Sequence, residues 1–273
     1  MSDLMKIAAN IQAMQSMNSL SSINDRMGMH QLRLATGKKI NSAAEDPAGY
    51  QLAKSLETRR RGLDAALQNV SQAKNVMNVA EGGYQNIMDI LQTIKEKATQ
   101  SADYTLSSTQ RTSINAQAET LIEEIGDIVS ETTFNGASLL DGTYTGAFHT
   151  GEAGSDQLTI SLGNADSAAL GIESISLGTA NGASSAIATL SSAINTLSNR
   201  IQDAGEYKIR LSTKERTLSV AVTNTEATRS VIEDADFAKE QMEVMKLQIL
   251  QQTAVSSLVQ ANAAPQVVLS LFK

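Results

Sequence analysis

Apolar residues recur every three or four positions through most of the chain, which is the pattern of helices that pack side by side. In the longest stretch, two interleaved sets keep a seven-residue spacing. The first set is Leu63, Val70, Met77, Tyr84, Leu91 and Ala98, and the second is Ala66, Ala73, Ala80, Ile87 and Ile94. Such a heptad predicts a coiled-coil-like seam along which one helix packs against another. We therefore interpret these residues as core, and not as part of a cofactor site.

Two further stretches carry the same spacing. They consist of Ala118, Leu121, Ile125 and Ile128, and then of Ile187, Leu190, Ile194, Leu197, Ile201, Ala204, Leu211, Leu218 and Val222. Lys208 and Glu215 interrupt the last of these seams with charge. Several helices with matching apolar stripes predict a mainly α fold, a long coiled-coil-like helical bundle.

The middle of the chain has a different pattern. Leu158, Ile160 and Leu162 alternate with polar residues, as in a strand with one buried face, and the sequence IESISLG at 172–178 predicts a second strand. Glycine is concentrated in the same region, between Asn135 and Ala183. A small β-hairpin element is therefore expected between residues 139 and 178.

Both ends of the chain are amphipathic, and they carry more apolar faces than one pairing would cover. The N-terminal stripe is Leu4, Ile7, Ile11, Met14, Met17, Leu20, Ile23 and Met27. Two stripes lie near the C-terminus: Ala235, Ala238, Met242, Met245 and Ile249, and Leu247, Leu250, Ala254, Leu258 and Ala261. The last residues are also apolar, with Val267, Val268, Leu269, Leu271 and Phe272. Two stripes on one helix predict two partner surfaces, one of them the N-terminal helix and the other outside the chain.

The sequence NSAAEDPAGY at 41–50 separates a first helical segment, roughly residues 4–35, from the long heptad helix. An Asp side chain can accept hydrogen bonds from the free amides of a helix start, and proline is tolerated at the first helical position. We expect a helix to start at Asp46 and Pro47, with a hinge before it.

Composition narrows the possible functions. The chain is 41% hydrophobic but only 3% aromatic, so small and aliphatic side chains must fill the core. A net charge of −7 argues against nucleic acid as the main partner. The absence of cysteine excludes disulfides and Cys-ligated metals. No segment approaches the roughly 18 apolar residues of a membrane span, and the first fifteen residues do not have the pattern of a secretory signal. We expect a protein without membrane insertion or a cleaved leader.

Residues for catalysis are scarce. The two histidines, His30 and His149, stand far apart in sequence, and no metalloprotease, phosphate-loop or nucleophile-elbow motif occurs. Neighbouring carboxylates such as Glu123 and Glu124 fit a solvated helix surface, and the basic TRRRG at 58–62 is flanked by acidic residues. We predict no enzyme activity, no catalytic or cofactor-binding residues, no cofactor and no metal.

Four segments together closely resemble bacterial flagellin. They are LATGKKINSAAEDPAGYQLAKSL (34–56), the heptad segment 62–100, TTFNGASLLDG (132–142) and the C-terminal segment 232–273. The segments stand in the family's order and cover well over half of the chain. The short middle resembles a compact flagellin without the outer variable domains of longer members.

The resemblance implies a structural subunit that polymerises into the flagellar filament for swimming motility. Residues 1–42 with 230–273 would form a discontinuous inner domain of paired terminal helices, which are disordered in the free monomer and fold on polymerisation. Residues 43–229 would form the helical bundle domain, with 137–181 as its β-hairpin and Gly-rich surface region. The expected subunit contacts are Leu4, Ile7, Ile11, Met14, Leu20, Ile23, Met242, Met245, Ile249, Leu250, Leu258, Val267, Leu269, Leu271 and Phe272.

The resemblance also implies partners and a location. The partners are other copies of the chain, the flagellar cap and hook-junction proteins, the flagellar export apparatus, and an export chaperone at the C-terminal helix. The location is the extracellular flagellar filament. Members sensed by the vertebrate Toll-like flagellin receptor carry Arg and Leu where this chain has Thr93 and Lys97, and Glu where it has Gln117, whereas Glu96 is retained. Recognition by that receptor is therefore expected to be weak or absent.

Three other hypotheses remain open on the sequence alone. A hook–filament junction protein of the flagellum would share the terminal helices but would not polymerise indefinitely. An enzyme or metal-binding module could lie in residues 137–181. A free-standing coiled-coil adaptor would have termini that are ordered in the monomer.

Overall fold

The computed structural model describes residues 10–270 of the chain, and side chains through residue 263. Within this range the helices are α1 (Ile11–Thr36), α2 (Pro47–Ser101), α3 (Ser108–Glu131), α4 (Ala180–Glu233) and α5 (Phe237–Ser270). Four short strands lie between α3 and α4: β1 (Thr133–Phe134), β2 (Ala137–Ser138), β3 (Thr145–His149) and β4 (Gln157–Ser161). This order of elements confirms the predicted mainly α fold with a small β element. Across residues 10–270, none of the helices combines the length and the hydrophobicity that crossing a bilayer requires.

The chain divides into two compact units. One falls within Met1–Thr58 and Asn224–Lys273 and is called the terminal unit below, because both ends of the chain contribute to it. The other is Arg59–Thr223, the central unit. The terminal unit includes more residues than the inner domain predicted from the sequence. The predicted limits of that domain, at residues 42 and 230, remain a prediction.

The heptad seam of α2 is the core of the central unit. All eleven of its predicted positions, from Leu63 to Ala98, are buried. In α4 the alternate positions of the matching seam are buried as well, namely Leu190, Leu197, Ala204, Leu211 and Leu218. Ile114, Ala118, Ile125 and Val129 of α3 join the same cluster. Small and aliphatic residues dominate this core, as the scarcity of aromatic residues predicts.

The two charges that interrupt the α4 seam are paired with charges on α2. The Lys208 ammonium lies 2.5 Å from the Glu81 carboxylate, and the Lys74 ammonium lies 2.6 Å from the Glu215 carboxylate. The later residue of α2, Glu81, pairs with the earlier residue of α4, Lys208, and the other pair has the reverse order. The two helices therefore run antiparallel. Ion pairs at the edge of a seam contribute little stability when they are partly exposed, but they favour one alignment of the helices.

Tyr84 is the largest fully buried side chain of this core, and it connects α2 to the strand region. Its hydroxyl donates a hydrogen bond to the Gly163 carbonyl over 2.6 Å. The adjacent Gly83 lets Leu140 approach closely, since a Cβ at residue 83 would lie 2.6 Å from the Leu140 Cδ1 atom. A buried phenol with one satisfied hydroxyl thus fixes the segment after β4 against the helix.

The predicted hairpin exists, but one of its strands was assigned wrongly. β4 contains the expected Leu158 and Ile160, both buried, and it pairs antiparallel with β3. Residues 172–178 do not form a strand. Their backbone makes local turns instead, with the Ile172 amide donating to the Ser167 carbonyl and the Ile175 amide to the Ile172 carbonyl. Ile172 and Leu177 are buried without a partner strand, so a short apolar pattern alone misidentified them.

β1 and β2 form a second, two-residue hairpin that the apolar pattern did not predict. Its turn is Asn135-Gly136, and both residues have positive φ, 50° and 80°. Asn-Gly is the favoured pair for this kind of tight turn, because asparagine and glycine tolerate the left-handed region. The Asn-Gly pair is visible in the sequence, but the residues on either side of it lack the apolar–polar alternation that identifies the strands of a hairpin.

Candidate assembly surface on the terminal helices

α1 is closed at both ends by side-chain and backbone hydrogen bonds. At its start the Asn10 Oδ1 atom accepts from the Ala13 amide over 3.0 Å. At its end Gly37 adopts φ 70° and donates its amide to the Arg33 carbonyl over 2.9 Å. Glycine reaches this left-handed conformation without steric cost, so the helix stops here. The predicted helix at roughly 4–35 therefore ends close to Thr36, and its first residues lie outside the described part of the chain.

α1 and α5 pair antiparallel, which confirms the expected pairing of the terminal helices. Three polar contacts mark the alignment from one end to the other. Asn10 donates to the Ala261 carbonyl over 2.8 Å, and Gln251 donates to the Asn24 side chain over 2.7 Å. Further along, the His30 imidazole contacts the Glu240 carboxylate. Polar contacts of this kind exist in one alignment only, whereas apolar contacts tolerate a shift.

The segment after α1 is joined to the junction between α4 and α5. The Lys39 amide donates to the Glu233 carbonyl over 2.6 Å, and the Ala235 amide donates to the Gly37 carbonyl over 2.9 Å. Lys38 and Asp234 form an antiparallel bridge between the same two segments. The next helix, α2, begins at Pro47, where the Asp46 carboxylate accepts from the Gly49 amide over 3.0 Å. A hinge at this point stays a prediction.

Glu233 is a buried carboxylate held by two cations. Its two oxygens accept from the Lys38 ammonium and from the Arg229 guanidinium, each over 2.5 Å. Burial alone would raise the pKa of the Glu233 carboxyl, but the hydrogen bonds and charges of Lys38 and Arg229 outweigh it and lower that pKa below its usual value. The charged form is therefore the one that stabilises the folded terminal unit.

We expect Glu233→Gln to destabilise the terminal unit by about 1–3 kcal/mol, because the two cations lose their charged acceptor. Since the folded-state pKa of Glu233 is lowered, this stabilisation is present above about pH 4, the ordinary pKa of glutamate, and is lost as the pH falls further. Hydrogen exchange of the Lys39 amide as a function of pH measures both effects.

The matched control for this substitution is Glu243→Gln, which breaks the partly exposed pair of Glu243 with Lys246 at 3.4 Å. We expect it to change stability by less than about 0.5 kcal/mol. Equal effects of the two substitutions, or unchanged acid sensitivity in Glu233→Gln, would contradict the role assigned to Glu233.

A groove runs along α1 and α5 on one side of the pair. Small and polar residues line most of it, with Ile23 and Leu250 among them. The full lining is Gln12, Gln15, Ser16, Ser19, Ile23, Leu250, Thr253, Ala254, Ser257, Gln260 and Ala261. Its short side chains leave room between the helices, so the pair does not bury all of its own surface.

The outward faces of the two helices are apolar and exposed. Met14 is 63% exposed on α1, and Ile249 is 65% exposed on α5. The exposed apolar residues of the two helices are Ile11, Met14, Met17, Leu32, Phe237, Met242, Met245, Ile249, Leu250, Val255 and Val259. Met242, Met245 and Ile249 lie on one face of α5 by their spacing, and exposed apolar patches mark interaction sites.

The residues expected to make subunit contacts fall into three groups in the structure. Ile11, Met14, Met242, Met245, Ile249 and Leu250 are exposed, whereas Leu20, Ile23 and Leu258 are half-buried within the terminal unit. Leu4, Ile7, Leu271 and Phe272, and the side chains of Val267 and Leu269, lie outside the described residues. The expected contacts omitted Met17, Leu32, Phe237, Val255 and Val259, which the structure exposes. Met17 belongs to the N-terminal stripe, so the pattern contained that signal.

The four residues considered for recognition by the Toll-like flagellin receptor lie on the central unit. Thr93 and Glu96 on α2 are exposed, as is Gln117 on α3, and Lys97 is half-buried. Within residues 10–270, no three His, Asp or Glu side chains converge in a way that could hold a metal ion.

Comparisons with known proteins place both ends of the chain in one family. Residues 7–145 match the model of the bacterial flagellin N-terminal helical region, and residues 187–272 match that of the C-terminal helical region. The flagellin of Listeria monocytogenes serovar 1/2a is 32% identical over 284 residues, which cover 98% of this chain and 99% of the relative. The flagellar filament 33 kDa core protein of Treponema phagedenis is 33% identical over 287 residues, 98% of this chain and 100% of the relative.

A solved structure named for a flagellar hook-associated protein of Vibrio parahaemolyticus has a similar fold. Its TM-score is 0.59 at 11% identity, and the match covers 69% of this chain and 99% of that one. At this level of identity the similarity concerns the fold alone.

Proposed function

Because this chain belongs to the bacterial flagellin family and is a structural subunit of the flagellar filament, we propose that its copies join through the outward faces of α1 and α5. The alternative of a hook–filament junction protein is not favoured, since the relatives of full length are named as flagellins and filament core proteins. The exposed side chains of Met14 on α1 and Ile249 on α5 would belong to the contact surface.

One observation supports this proposal above the others. The inward faces of α1 and α5 already have partners, because the helices contact each other through Asn10, Asn24 and His30. The outward faces have none within the described residues, although Met242, Met245 and Ile249 are exposed there. Fully burying one such side chain contributes roughly 1.5–3 kcal/mol, so a few of them provide enough free energy for association.

The outward faces also suit an open polymer. The exposed stripe of α1 and that of α5 consist of different residues, so one copy would present its α5 stripe to another patch of the next copy. Contacts between unlike patches repeat from copy to copy without closing on themselves unless the rotation happens to complete a ring. A helical filament is the general product of such contacts.

We propose the remaining partners on the basis of the same exposed apolar side chains. Before assembly, the apolar outward stripe of α5 needs protection from water, which fits an export chaperone bound to this helix and delivery to the flagellar export apparatus. After export to the cell exterior, the same stripe would become available to other copies. The cap and hook-junction proteins would meet the subunits at the two ends of the filament.

The chain has no cysteine, which allows a direct test of the proposed contacts. We would introduce Ile249→Cys and measure its rate of reaction with a maleimide in the unassembled protein and in filaments. We expect at least a tenfold slower reaction in filaments, because burial removes the thiol from solvent. Ser155→Cys, in the exposed turn between β3 and β4, is the control and should react equally fast in both states. Equal rates at residue 249 would contradict the proposed surface.

We also propose that the vertebrate Toll-like flagellin receptor recognises this protein weakly or not at all. The proposal rests on Thr93, Lys97 and Gln117, which replace the residues of recognised members, whereas Glu96 is retained. A receptor reporter cell line treated with purified monomer is the test. A full-strength response would refute the proposal, and restoring Arg and Leu through Thr93→Arg and Lys97→Leu should raise the response.

A further inference from the structure

A single proline lies within α5, and it changes the hydrogen bonding of one carbonyl. Pro265 falls inside the helix Phe237–Ser270, and the other proline of the chain is Pro47. In a regular helix the amide of residue 265 would donate to the carbonyl of residue 261. Proline has no amide hydrogen, so Ala261 loses its normal intrahelical donor. Ala261 is also only 9% exposed, which limits access of water to its carbonyl.

The Asn10 side chain supplies the missing donor. Its Nδ2 atom lies 2.8 Å from the Ala261 carbonyl oxygen, across the pair of terminal helices. At the same time its Oδ1 atom accepts from the Ala13 amide over 3.0 Å and caps α1. An asparagine amide carries one acceptor and one donor group on the same planar unit, so both contacts form together. Aspartate could keep only the contact with Ala13, because a carboxylate can accept from the Ala13 amide but cannot donate to the Ala261 carbonyl.

We propose that Asn10 is the positioning residue that fixes the alignment of α1 on α5, by recognising the one carbonyl that Pro265 leaves free. Other carbonyls in the middle of α5 have the amide four residues later as their donor, so a shift of α1 by one helical turn, about 5.4 Å, would place Asn10 opposite an occupied acceptor. The proline therefore marks a unique position along an otherwise repetitive helix. This inference rests on the proposed assembly, because the paired helices present the outward faces to other copies.

The test is a double-mutant cycle with Asn10→Asp and Pro265→Ala. Asn10→Asp keeps the cap and removes the donor to Ala261, whereas Pro265→Ala returns an amide donor to the same carbonyl from within the helix. The measurement is the concentration of unassembled full-length protein in equilibrium with filaments. We expect Asn10→Asp to raise this concentration about tenfold in the wild-type chain, as the loss of a partly buried hydrogen bond would. In the Pro265→Ala chain we expect a rise of about threefold or less.

The matched control is Asn24→Asp, the same change on the same helix. The Asn24 Oδ1 atom accepts from Gln251, so an aspartate retains the contact, and its effect should be the same with and without Pro265→Ala. An effect of Asn10→Asp that is equal in the two backgrounds, or failure of both Asn10→Asp chains to assemble, would overturn the proposal. Assembly of Asn10→Asp only together with Pro265→Ala would support it.

The failure of the proposed assembly can be distinguished from these outcomes. If the wild-type protein formed no filaments under any condition, the assembly proposal itself would fail. The same four proteins would then be compared by the midpoint of thermal unfolding of their helices. A smaller shift caused by Asn10→Asp in the Pro265→Ala background would still support the positioning role, and equal shifts would refute it.

Discussion

A protein with Ile249→Glu is expected to stay soluble and folded but to form no filaments. Ile249 is 65% exposed on the outward face of α5, so a glutamate there is fully compatible with the folded subunit. In the proposed contact the same position is buried among apolar side chains of another copy. A buried carboxylate without a partner costs about 3–5 kcal/mol, which raises the concentration needed for assembly more than about a hundredfold. Sedimentation of assembled protein across a range of concentrations measures this change.

The neighbouring substitution Gln248→Glu is the control for this prediction. It adds the same charge one residue earlier on α5, at an exposed polar position. We expect it to change the assembly concentration by less than about fivefold, as surface substitutions contribute little. Filaments of Ile249→Glu that form at the wild-type concentration would show that this face of α5 lies outside the subunit contacts.

Tyr84→Ala is expected to lower the thermal unfolding midpoint of the central unit by about 6–20 °C. The ring is 0% exposed, and truncating a buried aromatic side chain costs about 3–5 kcal/mol, while each kcal/mol shifts the midpoint by about 2–4 °C in a unit of this size. Tyr84→Phe keeps the ring and removes only the hydrogen bond to Gly163, so a much smaller shift is expected. Calorimetry of the three proteins measures the order of the effects, and similar shifts for Ala and Phe would contradict a packing role.

The same residue predicts sensitivity to alkaline conditions. Burial raises the pKa of the Tyr84 hydroxyl to about 12. Because the folded state favours the neutral phenol, its contribution is complete below pH 10, the ordinary pKa of tyrosine, and is lost as the pH rises from 10 to 12. A difference of two pKa units corresponds to about 2–3 kcal/mol. Tyr84→Phe removes this part of the pH dependence, which denaturant unfolding at pH 9 and pH 11.5 can measure.

Much of the fold follows from the spacing of apolar residues. The α2 heptad predicted eleven core positions, and the structure buries all of them, because a seven-residue repeat leaves a helix only one face to bury. Lys208 and Glu215 interrupt the α4 seam with charge, and the sequence alone did not identify their ion-pair partners. Their partners, Glu81 and Lys74, are more than a hundred residues away and become neighbours only when the helices pack antiparallel.

The errors arose where the signal is short or depends on distant residues. The alternation at 172–178 is typical of a strand, yet a strand also needs a neighbouring strand for its backbone. Here the Ile172 and Ile175 amides donate to nearby carbonyls, and the Leu177 amide donates to the Asn115 side chain. The role of Asn10 depends on a carbonyl that a distant proline frees, so neither position shows it alone. For the proposed assembly surface, the helical period of the sequence identified the apolar residues of α1 and α5. It could not distinguish those that face inward, such as Ile23, from exposed ones such as Met14.

The polar contacts between α1 and α5 have a consequence for the diversification of such subunits. A chain aligns its own terminal helices through directional bonds at Asn10, Asn24 and His30, whereas in the proposed assembly it would meet other copies through aliphatic and thioether groups on the outward faces. The two sets of residues do not overlap. Duplicated genes could therefore retain one internal alignment while their external residues drift, and a cell could mix the resulting isoforms in a single appendage or keep them apart.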